Sequence, residues 1–278
     1  MIKITYKFKN GSSLTDEPKG LTFSGGEEHI NLSPNPFRLS TEPIVISAQL
    51  DSSIEIMRLL LITNALKRMH SNDIELFMPY IPYARQDRVC QPGDAFSLEV
   101  FARLINSQGY SKVTVVDPHS EVSHGLFKNL MVIQQDAMVN YVNSRLSRID
   151  YIVSPDMGAI RKAKDWLYKW NSYGNNNARI INASKVRNEV GEIVSTEVSC
   201  GDITGANCLI VDDICDGGRT FSELAKVLRA KGAEKVYLYV THGIFSKGID
   251  AVGVDKVFTT DTFPEKDDGR IVVKRFLY

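Results

Sequence analysis

CLIVDDICDGGRTFSELAKVL, residues 208–228, reads as a buried strand, a glycine turn and a helix in immediate succession. Cys208 to Val211 is continuously apolar, as expected of a strand covered on both faces. Gly217 and Gly218 provide the turn, and from Thr220 to Ala230 the apolar residues return at helical spacing. A strand that feeds a helix in this way is the repeating unit of a parallel sheet flanked by helices, which sets the expectation of an α/β fold.

The same alternation extends in both directions. PIVISAQ, IELFMPY, KVTVVD, DYIVSP, ARIINAS and KVYLYVTH are β-branched apolar runs that end near polar or glycine-containing turns. Glu55–Met69, Ser97–Ile105 and Gly158–Trp170 carry apolar residues at helical spacing. The N-terminal MIKITYKFKNGSS alternates like a strand and lacks the apolar core of a secretory signal. One round of the pattern ends near Val142 and another starts at Asp150, with polar SRLSR between them. Two domains of similar build are expected, 1–145 and 146–278. NSYGNNNA, residues 171–178, is read as a connecting loop.

Composition narrows the range of functions. Lys+Arg and Asp+Glu both number 33, so no overall field attracts nucleic acid or an anionic membrane, and any phosphate must be held by a local site. The longest apolar runs fall well short of the roughly 20 residues that span a bilayer, and cytoplasmic residence is expected. Cys90, Cys200, Cys208 and Cys215 contain no C-x-x-C pair and are expected to be reduced thiols.

Chemistry concentrates where the opening stretch turns. N–H groups left free in the first turn of a helix, together with the helix dipole, hold an anion without many lysines. Gly217 and Gly218 let the backbone close around that anion. Asp212 and Asp213, just ahead of the turn, stand where vicinal hydroxyls of a sugar attached to that phosphate can donate to them. The implied ligand is a sugar phosphate.

This segment resembles the PRPP-binding signature shared by type I phosphoribosyltransferases and PRPP synthetases (ribose-phosphate diphosphokinases). MPYIPYARQDR, residues 78–88, is similar to the PYxxYARQDR signature of the synthetases, which the transferases lack. LLLITNALKR, VVDPHSEVSHGLF, YIVSPDMGAIRKA, ASKVRN, VYLYVTHGIFS and TTDTFP resemble further family segments in the same order, so the likeness runs from about Phe23 to Pro264. The resemblance implies two similar domains of the type I phosphoribosyltransferase kind, ATP and a ribose phosphate as substrates, Mg²⁺ as cofactor, and a homo-oligomer.

Residue by residue, the resemblance implies that Arg85, Gln86 and Asp87 belong to the ATP site, Arg85 and Gln86 holding the adenine. A guanidinium plane stacks on a purine and an amide reads its polar edge. Phe23 and Glu27 match a loop donated to the adenine pocket by a neighbouring subunit, with Gly25 standing where the family has Asp. His119 matches a metal and phosphate ligand, with Asp117 beside it, and Asp156 an acid that helps place a second cation. Lys185 and Arg187 match the catalytic cations of a mobile loop, and the polar stretch Asn188 to Asp202 fits a segment ordered when substrates bind. The resemblance further implies that Asp212, Asp213, Asp216, Gly217, Gly218, Arg219 and Thr220 form the ribose-phosphate site.

Three further features depart from the family. Asp216-Gly217-Gly218-Arg219-Thr220 stands where synthetases have Asp-Thr-x-Gly-Thr, so a hydroxyl is lost and a guanidinium gained. Such a loop suits ribose 5-phosphate or a larger acceptor such as ADP-ribose, whose second phosphate or ring an Arg can engage. The link after Gln49 is shortened to LDSSIE, and the sequence stops at Tyr278, soon after TDTFP and short of the family's usual tail. Interfaces and regulatory sites built from those parts are not carried over. A phosphoribosyltransferase consuming PRPP and a non-catalytic paralogue of a synthetase are the alternative readings.

Overall fold

The computed structural model describes residues 1–32, 42–69, 73–173, 177–187 and 193–276; of 185–187 and 193–195 the backbone alone is described. The chain forms two compact units, Met1–Ile133 and a second from Gln134 onward.

The first unit is built on a sheet ordered β2-β1-β5-β6-β7-β8. Its strands are β1 (Ile2–Lys7), β2 (Ser13–Asp16), β5 (Ile44–Ala48), β6 (Ile74–Phe77), β7 (Lys112–Val116) and β8 (Leu130–Ile133). From β5 to β8 neighbouring strands are parallel, and β1 runs antiparallel to both β2 and β5. A separate hairpin joins β3 (Gly20–Thr22) to β4 (Glu28–Ile30). The helices are α1 (Ser53–Met69), α2 (Ser97–Ser107) and α3 (Val122–Leu126). Leu59, Ile62, Thr63 and Leu66 fall on one face of α1 at i, i+3, i+4 and i+7, and all are buried. The one hydroxyl among them is satisfied, since Thr63 Oγ1 lies 2.8 Å from the Leu59 carbonyl and 2.6 Å from the Tyr110 hydroxyl.

The second unit repeats the plan with the order β11-β10-β9-β12-β13-β14-β15. These strands are β9 (Tyr151–Ser154), β10 (Arg179–Arg187), β11 (Ile193–Val198), β12 (Asn207–Cys215), β13 (Lys235–Gly243), β14 (Lys256–Thr260) and β15 (Ile271–Lys274). All neighbours are parallel except β10 and β11. β12 lies at the centre, and its side chains alternate between two cores. Cys208 and Ile210 join Phe221, Leu224 and Leu228 of α6 (Arg219–Ala230). Leu209 and Val211 join Val139 and Val142 of α4 (Val139–Asn143) and Trp166 and Trp170 of α5 (Ile160–Ser172). Trp166 and Trp170 are fully buried, and truncating either to Ala should cost about 3–5 kcal/mol.

The α/β expectation is met strand by strand: the seven apolar runs correspond to β5, β6, β7, β9, β10, β12 and β13, and the four helical patterns to α1, α2, α5 and α6. The division between units differs from the sequence boundary at 145/146. It falls after Ile133, ahead of the polar joint, because Val139 and Val142 are spent on the second core. Part of Asn188–Asp202 is strand rather than loop: IVSTEV, β11, alternates β-branched residues and pairs with β10. Across the connector 171–178, Asn171 bonds both backbone groups of Ala178, by its Nδ2 to the carbonyl and its Oδ1 to the N–H, each at 3.0 Å. No helix among the described residues is long and apolar enough to cross a membrane.

Candidate active site

In the first unit, the loop after β6 coils back on itself: Tyr83 adopts φ +64°, Gln86 N–H donates to the Tyr83 carbonyl at 2.9 Å, and Leu98 N–H to the Gln86 carbonyl at 3.2 Å. These turns open a cleft of about 490 Å³ lined by Arg85, Gln86, Asp87, Arg88, Cys90 and His119, with Asp94, Ala95 and Ser97. That volume suits a small-molecule ligand. Arg85, Gln86, Asp87 and His119, four residues singled out in the sequence, are thus brought together by β6 and β7 being neighbours.

Asp87 is buried and gripped by Arg88, Nε to Oδ1 at 2.8 Å and Nη2 to Oδ2 at 3.1 Å. The Arg88 hydrogen bonds hold its carboxyl down at about 2, against the opposing effect of burial and with help from Ser120 and His119. Asp87 is therefore a fixed anion that anchors the cleft wall. His119 is exposed, one residue beyond Pro118 and the buried Asp117, whose φ of +41° bends the chain out of β7.

Phe23 and Glu27 do not line this cleft. They sit at the tip of the β3–β4 hairpin, closed by Phe23 N–H to the Glu27 carbonyl and Gly26 N–H to the Phe23 carbonyl, each 2.8 Å. Arg58 of α1 ties the hairpin down through Glu28 at 2.6 Å, while the Phe23 ring stays 50% exposed, stacked obliquely on His29 at 5.8 Å.

The second unit carries the acid cluster. Because β9 and β12 are adjacent, with Val153 opposite Ile210, their carboxyl ends bring Asp156 near Asp212 and Asp213. Asp213 is buried and its Oδ2 meets Lys162 Nζ at 3.3 Å. Asp212 keeps some accessible surface, but its carboxyl is surrounded by protein; burial, then Asp213 and Asp156, raise its pKa well above the usual range, with Lys162 opposing. Asp212 Oδ1 accepts the Asp213 N–H at 2.9 Å, and Gln135 Nε2 donates to the Asp212 carbonyl at 2.6 Å. Asp156 Oδ1 accepts from Gly158 and Ala159 N–H at 3.0 and 3.2 Å, which fixes its side chain ahead of α5. Lys162 and Gln135 escaped the sequence reading, since nothing local marks a residue whose partner lies on another strand.

The glycine turn follows. Gly218 has φ +77°, and a Cβ there would stand 3.0 Å from the Ala251 carbonyl carbon and oxygen, so only glycine fits. No side chain caps α6 at Gly218; the Phe221 and Ser222 N–H groups donate to the Gly218 carbonyl at 3.1 and 3.0 Å, and the N–H groups of Arg219 and Thr220 come first at the turn. Arg219 is the first, exposed residue of α6, and Thr220 follows it partly buried. Asp216 Oδ1 accepts the Ser246 hydroxyl at 2.6 Å. Burial pushes the neighbouring Cys215 thiol up to about 12, leaving it unreactive.

The side chains of Lys185 and Arg187 lie outside the described residues, as do 188–192; their backbone closes β10, with Lys185 opposite Thr196 of β11. Among the described residues no group of three or more His, Cys, Asp or Glu side chains is arranged to hold a metal unaided.

Comparison with known proteins adds a family. Residues 19–109 match the N-terminal domain of ribose phosphate pyrophosphokinase, and residues 175–274 the phosphoribosyl synthetase-associated domain. A ribose-phosphate pyrophosphokinase of Pasteurella multocida is 31% identical over 261 residues, 91% of this chain and 80% of the relative. Another from Chromobacterium violaceum is 32% identical over 251 residues, 87% of this chain and 74% of the relative. The crystal structure of phosphoribosylpyrophosphate synthetase from Mycobacterium smegmatis shares the fold with a TM-score of 0.77, at 24% identity, over 93% of this chain and 86% of that one.

Proposed function

This chain belongs to the ribose-phosphate pyrophosphokinase family, and from that membership we propose that it transfers the β,γ-diphosphate of ATP to the anomeric hydroxyl of a ribose phosphate, releasing AMP. The observation that carries the reading is the cleft of Arg85, Gln86, Asp87 and His119 in the first unit. The turn at Gly217–Gly218 alone suits a phosphoribosyltransferase equally well; the additional α/β unit that precedes it, with its cleft of about 490 Å³, suits a diphosphokinase.

In this reading Arg85 stacks on the adenine while Gln86 reads its polar edge, and Phe23 and Glu27 complete the pocket from the hairpin of a neighbouring subunit. The acceptor's phosphate sits on the first turn of α6, and its ring hydroxyls donate to Asp212 and Asp213. The anomeric oxygen attacks the β-phosphorus in line; the bond from that phosphorus to the α-phosphate oxygen breaks, AMP leaves with the electron pair, and the hydroxyl proton passes to solvent. Lys185 and Arg187 stabilise the charge that spreads over the transferred oxygens, more in the transition state than in the ground state.

Mg²⁺ fits the donor set. Asp213 and Asp156 gather their carboxyls around Asp212, and Mg²⁺ binds through a few carboxylates together with substrate phosphates. His119 in the first unit and Asp156 in the second are each proposed as a metal ligand, Asp156 for a second cation, and Mg²⁺ would supply charge neutralisation at the transferred phosphates.

Arg219 favours a second acceptor alongside ribose 5-phosphate. It opens α6 exposed, and its guanidinium meets no carboxylate among the described residues. A second phosphate on the ribose O5, as in ADP-ribose, gives it a partner. Purified protein with ATP and Mg²⁺ should release AMP on adding ribose 5-phosphate or ADP-ribose, without any nucleobase. Absence of AMP with both acceptors sinks the diphosphokinase reading. Turnover of ribose 5-phosphate alone removes the larger acceptor, and R219G should shift preference toward the smaller one.

A further inference from the structure

The space beside Gly217 is not empty. A Cβ on Gly217 would stand 3.6, 3.7 and 3.9 Å from Cδ, Cε and Cγ of Lys247, so this lysine lays its aliphatic stem across the turn where a side chain would otherwise project. Its placement comes from the backbone. Ile244 and Phe245 N–H donate to the Cys215 carbonyl at 2.9 and 3.1 Å, and Ser246 N–H to the Asp216 carbonyl at 3.1 Å. The Ser246 hydroxyl adds its bond to Asp216 Oδ1, and Gly248 N–H closes the turn on the Phe245 carbonyl at 3.0 Å. Phe245 adopts φ +47°, an uncommon conformation for an aromatic residue, while its ring is buried in the core under α6. Residues 244–248 and 215–217 are thus stitched into one piece, and Lys247 is presented over the turn by that piece.

Lys247 is exposed, and its ammonium meets no carboxylate among the described residues. The stem is packed while the charge is left at the mouth of the turn, which is how a long cationic side chain serves an incoming anion. With Arg219 following Gly218 in the chain, the turn is flanked by two cations that meet no carboxylate among the described residues, more than a single phosphate on a helix N-terminus requires.

We propose that Lys247 is a specificity-determining residue of the acceptor site, binding a phosphate of the acceptor's O5 substituent and, together with Arg219, favouring acceptors that carry a diphosphate there. The inference rests on residues 212–220 being the acceptor site.

The test compares wild type, K247M and K247R by initial rates of AMP release with ADP-ribose and with ribose 5-phosphate. Removing one charge-assisted hydrogen bond should raise the KM for ADP-ribose roughly 10- to 100-fold in K247M and that for ribose 5-phosphate by about threefold or less. The kcat and the KM for ATP should stay within about twofold, and K247R should restore most of the loss. An unchanged KM for ADP-ribose in K247M, an equal rise for both acceptors, or a wild type that turns over ribose 5-phosphate alone overturns this inference and leaves the diphosphokinase reading standing. A wild type that releases no AMP with either acceptor overturns the reading itself, and this inference with it.

Discussion

Replacing Asp212 by Asn should make the ligand-free protein more stable and nearly inactive. Ionising Asp212 is costly in the folded protein, because its carboxyl lies buried beside Asp213 and Asp156 while Lys162 is paired with Asp213 at 3.3 Å. Two unit charges in contact at an effective dielectric near 20 repel by roughly 4 kcal/mol. The nearby Lys162 ammonium reduces the expected gain in D212N to about 2 kcal/mol. Asn keeps the acceptor for the Asp213 N–H, now at 2.9 Å, so no hydrogen bond is lost in exchange. For a unit of this size each kcal/mol moves Tm by roughly 3–5 °C, which gives a rise of about 6–10 °C. The sign follows from linkage: a carboxyl whose pKa rises on folding costs stability above its unfolded value near 3.9, so the advantage of D212N is present at pH 7.5 and vanishes toward pH 4. The assay is thermal unfolding in EDTA without nucleotide, alongside AMP release with acceptor, which should fall at least about 100-fold. A variant that melts at or below wild type at pH 7.5 refutes the electrostatic argument.

Other perturbations probe separate parts. K185A should lower kcat by about 10²–10³-fold while ATP affinity, read by equilibrium binding, changes less than about twofold; an active K185A ends the proposed role. G218A combines left-handed strain with a Cβ 3.0 Å from the Ala251 backbone and should cost about 2–4 kcal/mol in urea unfolding. Cys90 is exposed in the cleft of the first unit, whereas burial pushes Cys208 and Cys215 up to about 12, so a thiol reagent should label Cys90 first, and ATP should slow that labelling if it binds there as proposed. Burial acts to raise the Asp255 carboxyl, but Val236 N–H, Arg229 and Lys235 outweigh it and leave the carboxyl lowered. D255A should therefore cost about 1–2 kcal/mol at pH 7, a loss that shrinks as the pH falls below about 4, since the contribution comes from the ionised form.

Strands such as CLIVDDI and helices such as Thr220–Ala230 are legible because their periods, continuous burial and 3.6 residues, are local properties of the chain. The short strands β8, β14 and β15 were not read: LMVI, KVFTT and IVVK are too brief to show a period of their own and become strands by pairing with neighbours already in place. β11 was hidden for a related reason, its β-branched alternation lying inside a stretch rich in polar residues. The break after Ile133 depends on which core takes up Val139 and Val142, a choice that only packing makes.

The sequence by itself determined the α/β order, the glycine turn with its paired acids, and the YARQDR segment, because each is written in consecutive residues. Tertiary structure decided what those residues meet. Strand order set Asp156 beside Asp212, parallel pairing of β6 with β7 set His119 beside Arg85 and Gln86, and the hydrogen bonds from 244–246 to Cys215 and Asp216 laid Lys247 across Gly217. These are contacts between segments far apart in the chain, fixed by sheet register and side-chain packing, and no local spacing rule encodes them.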